Sequence, residues 1–87
     1  MQSDLLRRLS KSCKQTARLH RLGMAAGANQ EMLQLIDDLI QLTADPVSEA
    51  RIGPLLIEVL NAQERGDALC VADQLEFVLL PELELKR

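Results

Sequence analysis

Aromatic side chains are nearly missing from this sequence: Phe77 is the only one, with no Trp and no Tyr. Stacking platforms for single-stranded nucleic acid are therefore lacking, and so is the alternation of aromatic and β-branched residues that marks strands. Apolar runs stop after a few residues, far short of the roughly 20 needed to cross a bilayer. Near the start, Arg7, Arg8, Lys11 and Lys14 interrupt any apolar signal core. A cytoplasmic protein is expected. The two cysteines, Cys13 and Cys70, have no CxxC spacing, so reduced thiols are expected and not a structural disulfide.

The residues needed for catalysis are also scarce. His20 is the only histidine, and no Gly-x-Ser-x-Gly elbow presents a serine. Cys13 and His20 lie seven residues apart on one helical face, roughly 10 Å at 1.5 Å per residue, too far for a hydrogen bond. His20 reads as a packed residue at the edge of a core. The four glycines, at 23, 27, 53 and 66, are scattered breakers and form no phosphate-cradling loop. Glu-x-x-His pairs of the di-metal bundle type are absent. No enzyme, cofactor or metal is expected.

What remains is leucine and charge. The chain has 87 residues, 47% hydrophobic and 26% charged, which is the composition of one globular domain. Its net charge of −3 is unevenly spread. Residues 1–22 carry six basic groups against Asp4, and residues 23–87 carry four against twelve acids.

The periodicity predicts an all-α, small antiparallel bundle of four helices. The first spans residues 4–22, with Ser3 as N-cap and Gly23 as its stop. Leu5, Leu6, Leu9, Cys13, Thr16, Ala17 and His20 share its apolar face. Arg7, Lys11, Lys14, Arg18 and Arg21 form a basic stripe opposite. The second spans residues 30–43 behind an Asn29 cap, with Gln30, Glu31, Gln34, Asp37, Asp38 and Gln41 on its polar face. Apolar residues cover the other half of that cylinder, more than one neighbour needs.

Asp45-Pro46 is a start signal. The third helix is expected to be interrupted near Gly53-Pro54, leaving a short piece at 47–52 and a main piece at 54–65. Gly66 and Asp67 then make a tight link, which favours an antiparallel hairpin. The fourth helix spans residues 67–80, ended or kinked at Pro81. Ala68, Val71, Ala72, Leu75, Val78 and Leu79 form its main apolar face. Cys70 and Phe77 form a second, smaller one.

Two features bear on function. The basic stripe suits a solvated face, an acidic partner, the phosphates of nucleic acid or an anionic membrane surface. Asp73 and Glu76 project among leucines, where an ionised carboxylate needs a partner. Arg18, Arg21 and Arg51 are the cations expected to meet them as an internal link; the alternative is a binding interface at which the pair meets a partner's cation. The surplus of apolar faces argues for a further chain, with a homodimer the first expectation.

Residues 59–83 contain Ala62-Gln63-Glu64, Asp67, Ala72-Asp73, Leu75-Glu76-Phe77 and Leu80-Pro81-Glu82-Leu83. This pattern resembles that of small uncharacterised bacterial helical proteins. The resemblance implies a helical hairpin and a bacterial source, and no activity. In size, acidity and helix content the chain is also similar to flagellar and type III export chaperones, an architectural likeness without a shared motif. The expected function is a non-enzymatic helical protein–protein interaction module: a homodimer, adaptor or chaperone-like partner. Its candidate residues are Arg7, Lys11, Lys14, Arg18, Arg21, Asp73, Glu76 and Phe77. A small nucleic-acid-associated regulator using the basic stripe is the alternative.

Overall fold

Three short links divide the chain into helices, and two of them are built the same way. Gly23 takes φ +74 after α1 (Gln2–Arg21). Its amide donates to the His20 carbonyl at 3.1 Å, and the Met24 amide donates to Leu19 at 2.9 Å. Gly66 takes φ +71 after α3 (Pro46–Glu64), with the matching bonds Gly66 to Gln63 at 3.0 Å and Asp67 to Ala62 at 3.1 Å. This double bond pattern closes a helix when a glycine accepts the left-handed conformation. Between them lies α2 (Ala25–Leu42). At the third link the Asp45 side chain accepts from the Val47 and Ser48 amides, with Pro46 at the first helical position.

After Gly66 come α4 (Ala68–Asp73), a π-helical segment (Gln74–Leu79) and α5 (Leu80–Leu85), which run on as one fourth helix. Asp67 caps it, accepting from the Cys70 amide at 3.1 Å. The computed structural model describes the backbone of residues 2–85 and the side chains of residues 4–85.

The four helices run up, down, up, down, and one polar link joins each neighbouring pair. Arg8 of α1 meets Asp38 of α2, and Gln63 of α3 donates to Asn29 of α2. Arg51 of α3 meets Glu82 of α5, and Arg21 of α1 meets Asp73 of α4. Every link joins the early part of one helix to the late part of the other, as antiparallel packing requires. Inside this ring α1 packs against α2 and the fourth helix, and α3 packs mainly on the fourth helix. Leu9, Cys13, Leu35, Leu39, Ile52, Leu75, Leu79 and Leu83 are fully buried between them. The Cα radius of gyration, 11.9 Å, is that of one compact domain of this length.

Several boundaries differ from expectation. Ser3 lies inside α1. The second helix starts at Ala25, not residue 30, with Met24 at the cap position and no side-chain cap. The closing turn at Gly23 already sets the chain's direction, so a capping residue is unnecessary. Asn29 lies within the helix and bonds Gln63 instead. The interruption at Gly53-Pro54 is a missing bond and not a missing turn: Pro54 cannot donate to the Ala50 carbonyl, yet α3 continues through it. Asp38, expected on a polar face, is only 2% exposed. Leu33 and Ile40 of the same helix are exposed instead.

The fourth helix does not end at Pro81. The Leu80 amide donates to the Leu75 carbonyl five residues back, so the helix widens just before the proline. The ring of Pro81 would have broken an α-helical ladder there in any case. The widening also has a packing cause. Val71, Leu75, Leu79 and Leu83 are all buried and stand four residues apart. A four-residue step in an α-helix overshoots a full turn by about 40°, so three steps would carry Leu83 about 120° off the core face. The π-turn absorbs one extra residue and returns Leu83 to the core.

Candidate interaction surface

The widened turn that aligns the buried stripe also aligns an exposed one. Leu69, Asp73, Phe77, Pro81 and Leu85 follow at the same four-residue spacing and are all exposed. Leu69 and Phe77 are each 65% accessible and Leu85 is 71% accessible. Val78 extends the patch to one side. Exposed apolar side chains grouped on one face mark binding sites more often than single exposed residues do.

Arg21 fixes the middle of this face. It is the last residue of α1, where a cation interacts favourably with the helix dipole. Its Nη2 donates to Asp73 Oδ1 at 2.8 Å and its Nη1 donates to Glu76. Its guanidinium carbon lies over the Phe77 ring, 5.4 Å from the centroid, within cation–π range. The Asp73 hydrogen bond, and then Glu76, raise the Arg21 pKa against opposing desolvation. One side chain thus pairs both carboxylates and orders the only aromatic ring. An ordered ring loses less freedom on binding.

The structure therefore brings together Arg21, Asp73, Glu76 and Phe77. The two acids meet an internal cation, so they link α1 to the fourth helix and are not left bare for a partner's cation. Arg7, Lys11, Lys14 and Arg18 lie exposed along α1. Arg7 pairs with Asp4 of its own helix at 3.4 Å. Lys11, Lys14 and Arg18 have no ion-pair partner among the described residues.

Sequence reasoning passed over three residues of the neighbourhood. Leu69 and Leu85 join Phe77 only if the helix widens, and the apolar spacing at 71, 75, 79 and 83 was the available signal. Arg65 caps α3 and lays its Nη2 3.6 Å from Cys70 Sγ, beside Leu69. Elsewhere the thiols are free. Cys13 is buried in the core, and that burial pushes its pKa up to about 12, which leaves it a poor nucleophile. His20 is buried, and its Nε2 has no hydrogen-bond partner among the described residues. Among the described residues no group of three His, Cys, Asp or Glu side chains converges. No described helix is long and apolar enough to cross a membrane.

Compared with known proteins, the chain matches no family model, no curated protein and no solved structure.

Proposed function

We propose that this chain is a non-enzymatic helical interaction module that docks another protein chain on the outer face of its fourth helix. One observation carries the reading: Phe77, the single aromatic residue, is exposed between Leu69 and Leu85 and held in place by Arg21. Interface cores favour aromatic anchors with few bare charges, and here the nearby carboxylates are already paired. The roles that fit are a homodimer, an adaptor or a chaperone-like partner. Two free thiols suit a reducing compartment such as the cytoplasm.

Affinity capture from the native host tests this reading, using wild type, Phe77→Asp and Lys14→Glu as baits. The reading expects a protein retained by wild type and Lys14→Glu and lost by Phe77→Asp. Retention by all three baits would remove the fourth helix from the binding face.

A second reading rests on Lys11, Lys14 and Arg18, three exposed cations that form no ion pair among the described residues. Such a row suits phosphates, as in a small nucleic-acid-associated regulator. Binding of that kind weakens steeply with salt. A titration against DNA and RNA between low and moderate salt supports it only if affinity falls steeply and Lys14→Glu reduces the slope.

A further inference from the structure

The two glycine turns lie at the same end of the bundle, and a cavity of about 230 Å³ lies between the residues that flank them. All four helices contribute to it. His20 comes from the last turn of α1, Asn29 from α2, Gln63 from α3, and Asp67, Ala68 and Val71 from the start of the fourth helix. We propose that this cavity binds a small primary ammonium group carried on a short apolar tail. None of its residues belongs to the outer stripe of Leu69, Phe77 and Leu85, so the site stands apart from the docking face.

Three acceptors line the cavity and lack donors. His20 is only 8% exposed, and its Nε2 has no hydrogen-bond partner among the described residues. Buried polar groups are rarely left so. Burial lowers the pKa of the ring, and a neutral imidazole offers one of its nitrogens as an acceptor. Asp67 uses only Oδ1 for capping, where it accepts from the Cys70 amide at 3.1 Å. Its other oxygen takes no hydrogen bond, and the carboxylate meets no cation, among the described residues. Gln63 donates its side-chain N–H to Asn29 at 3.1 Å, which leaves the Gln63 side-chain carbonyl free. No Lys or Arg lines the cavity. An ammonium has three donors and no acceptor, so it matches this set, whereas an anion would face a bare carboxylate. A divalent cation fits less well, because no third His, Cys, Asp or Glu converges here among the described residues. Ala25, Ala68 and Val71 give the tail small, apolar walls. A water takes about 30 Å³ of liquid volume, so the space is that of a small organic molecule.

His20 is the only histidine, so its ring protons give one unambiguous NMR reporter inside the cavity. The experiment titrates the full chain with n-butylamine at fixed pH and ionic strength, with n-butanol as the uncharged control. The His20 signals should move saturably with butylamine, with a dissociation constant of millimolar order, and not with butanol. Asp67→Asn keeps a capping oxygen but removes the charge, and should weaken binding about tenfold. Ala68→Leu fills the cavity and should abolish binding. Melting temperatures establish that both variants are folded. Nα-acetyl-lysine amide distinguishes the source of the ammonium: binding equal to that of butylamine points to a lysine side chain of a partner, and much weaker binding points to a free amine. A wild type whose His20 signals do not saturate would overturn the proposal, and so would equal responses to butylamine and butanol. A loss on Glu58→Gln, an exposed acid outside the cavity, as large as that on Asp67→Asn would also overturn it, because the amine would then be following the acidic surface in general.

Discussion

Arg21 Nη2 donates to the Asp73 carboxylate across 2.8 Å while the same guanidinium covers the Phe77 ring. The contact ties the last turn of α1 to the exposed face of the fourth helix. Because Phe77 is the only aromatic residue, proton NMR reads this contact without ambiguity. The Arg21 side-chain protons are expected to be shifted upfield by the ring, and Phe77→Leu should return them to ordinary values. Unchanged Arg21 shifts would mean that the guanidinium does not sit over the ring in solution.

The two faces of α1 differ in what they contribute to folding. Leu9 is fully buried, so Leu9→Ala should cost about 2–5 kcal/mol by denaturant unfolding. Lys14 is exposed without an ion-pair partner among the described residues, and Lys14→Glu should stay within about 0.5 kcal/mol of wild type. Equal losses from the two changes would contradict the orientation of α1.

Much of this architecture could be read from residue types whose local physics leaves few options. Gly23 and Gly66 stop helices because they accept positive φ, and Asp45-Pro46 and Asp67 start them because their side chains reach free amides. The contact between helix one and Asp73 and Glu76 was legible too, since carboxylates among leucines need a cation and α1 supplies the most. The start of α2 was not legible, because no side chain caps it. Nor was the burial of Asp38, which depends on Arg8 reaching across from α1 at 3.2 Å and Gln34 donating at 3.3 Å. The passage beyond Pro81 was missed because a wheel drawn at 100° per residue cannot represent a π-turn. On that wheel Phe77 falls on a minor face, and Leu85 separates from Leu69.

The π-turn yields an unusual expectation about deletions. Removing Val78 would change the buried spacing from 4, 4, 4 to 4, 3, 4, which an ordinary α-helix keeps on one face. The deletion variant should unfold cooperatively within about 2 kcal/mol of wild type. Removing Gln34 shifts Leu35, Leu39 and Leu42 out of the core, and that variant should fail to fold. Circular dichroism during thermal melting distinguishes the two. If deleting Val78 is as damaging as deleting Gln34, the four-residue spacing is not what holds the π-turn in place.

Burial also gives the fold a response to acid. It lowers the His20 pKa from its ordinary value of 6.5. The unfolded chain therefore binds a proton at a pH where the folded chain does not, and protons favour unfolding. This share of the stability is fully present above pH 6.5 and is lost as pH falls below it toward the folded value. Other groups add their own pH dependence, so the comparison is with His20→Leu. The variant should gain on wild type in melting temperature between pH 7.5 and pH 5. A difference that stays constant over that range would contradict a buried neutral imidazole.

The central claim is that the exposed stripe of the fourth helix serves association and not folding. Phe77 tests it most directly, because its side chain is 65% accessible and contributes little to the core. The measurement is sedimentation of wild type and Phe77→Asp over the same concentration range, with the melting temperature of each recorded under conditions where both are monomeric. The account predicts matching monomer stabilities and an association that is lost or weakened at least about tenfold in the variant. Association of the same strength in both proteins, with the variant folded, would contradict it.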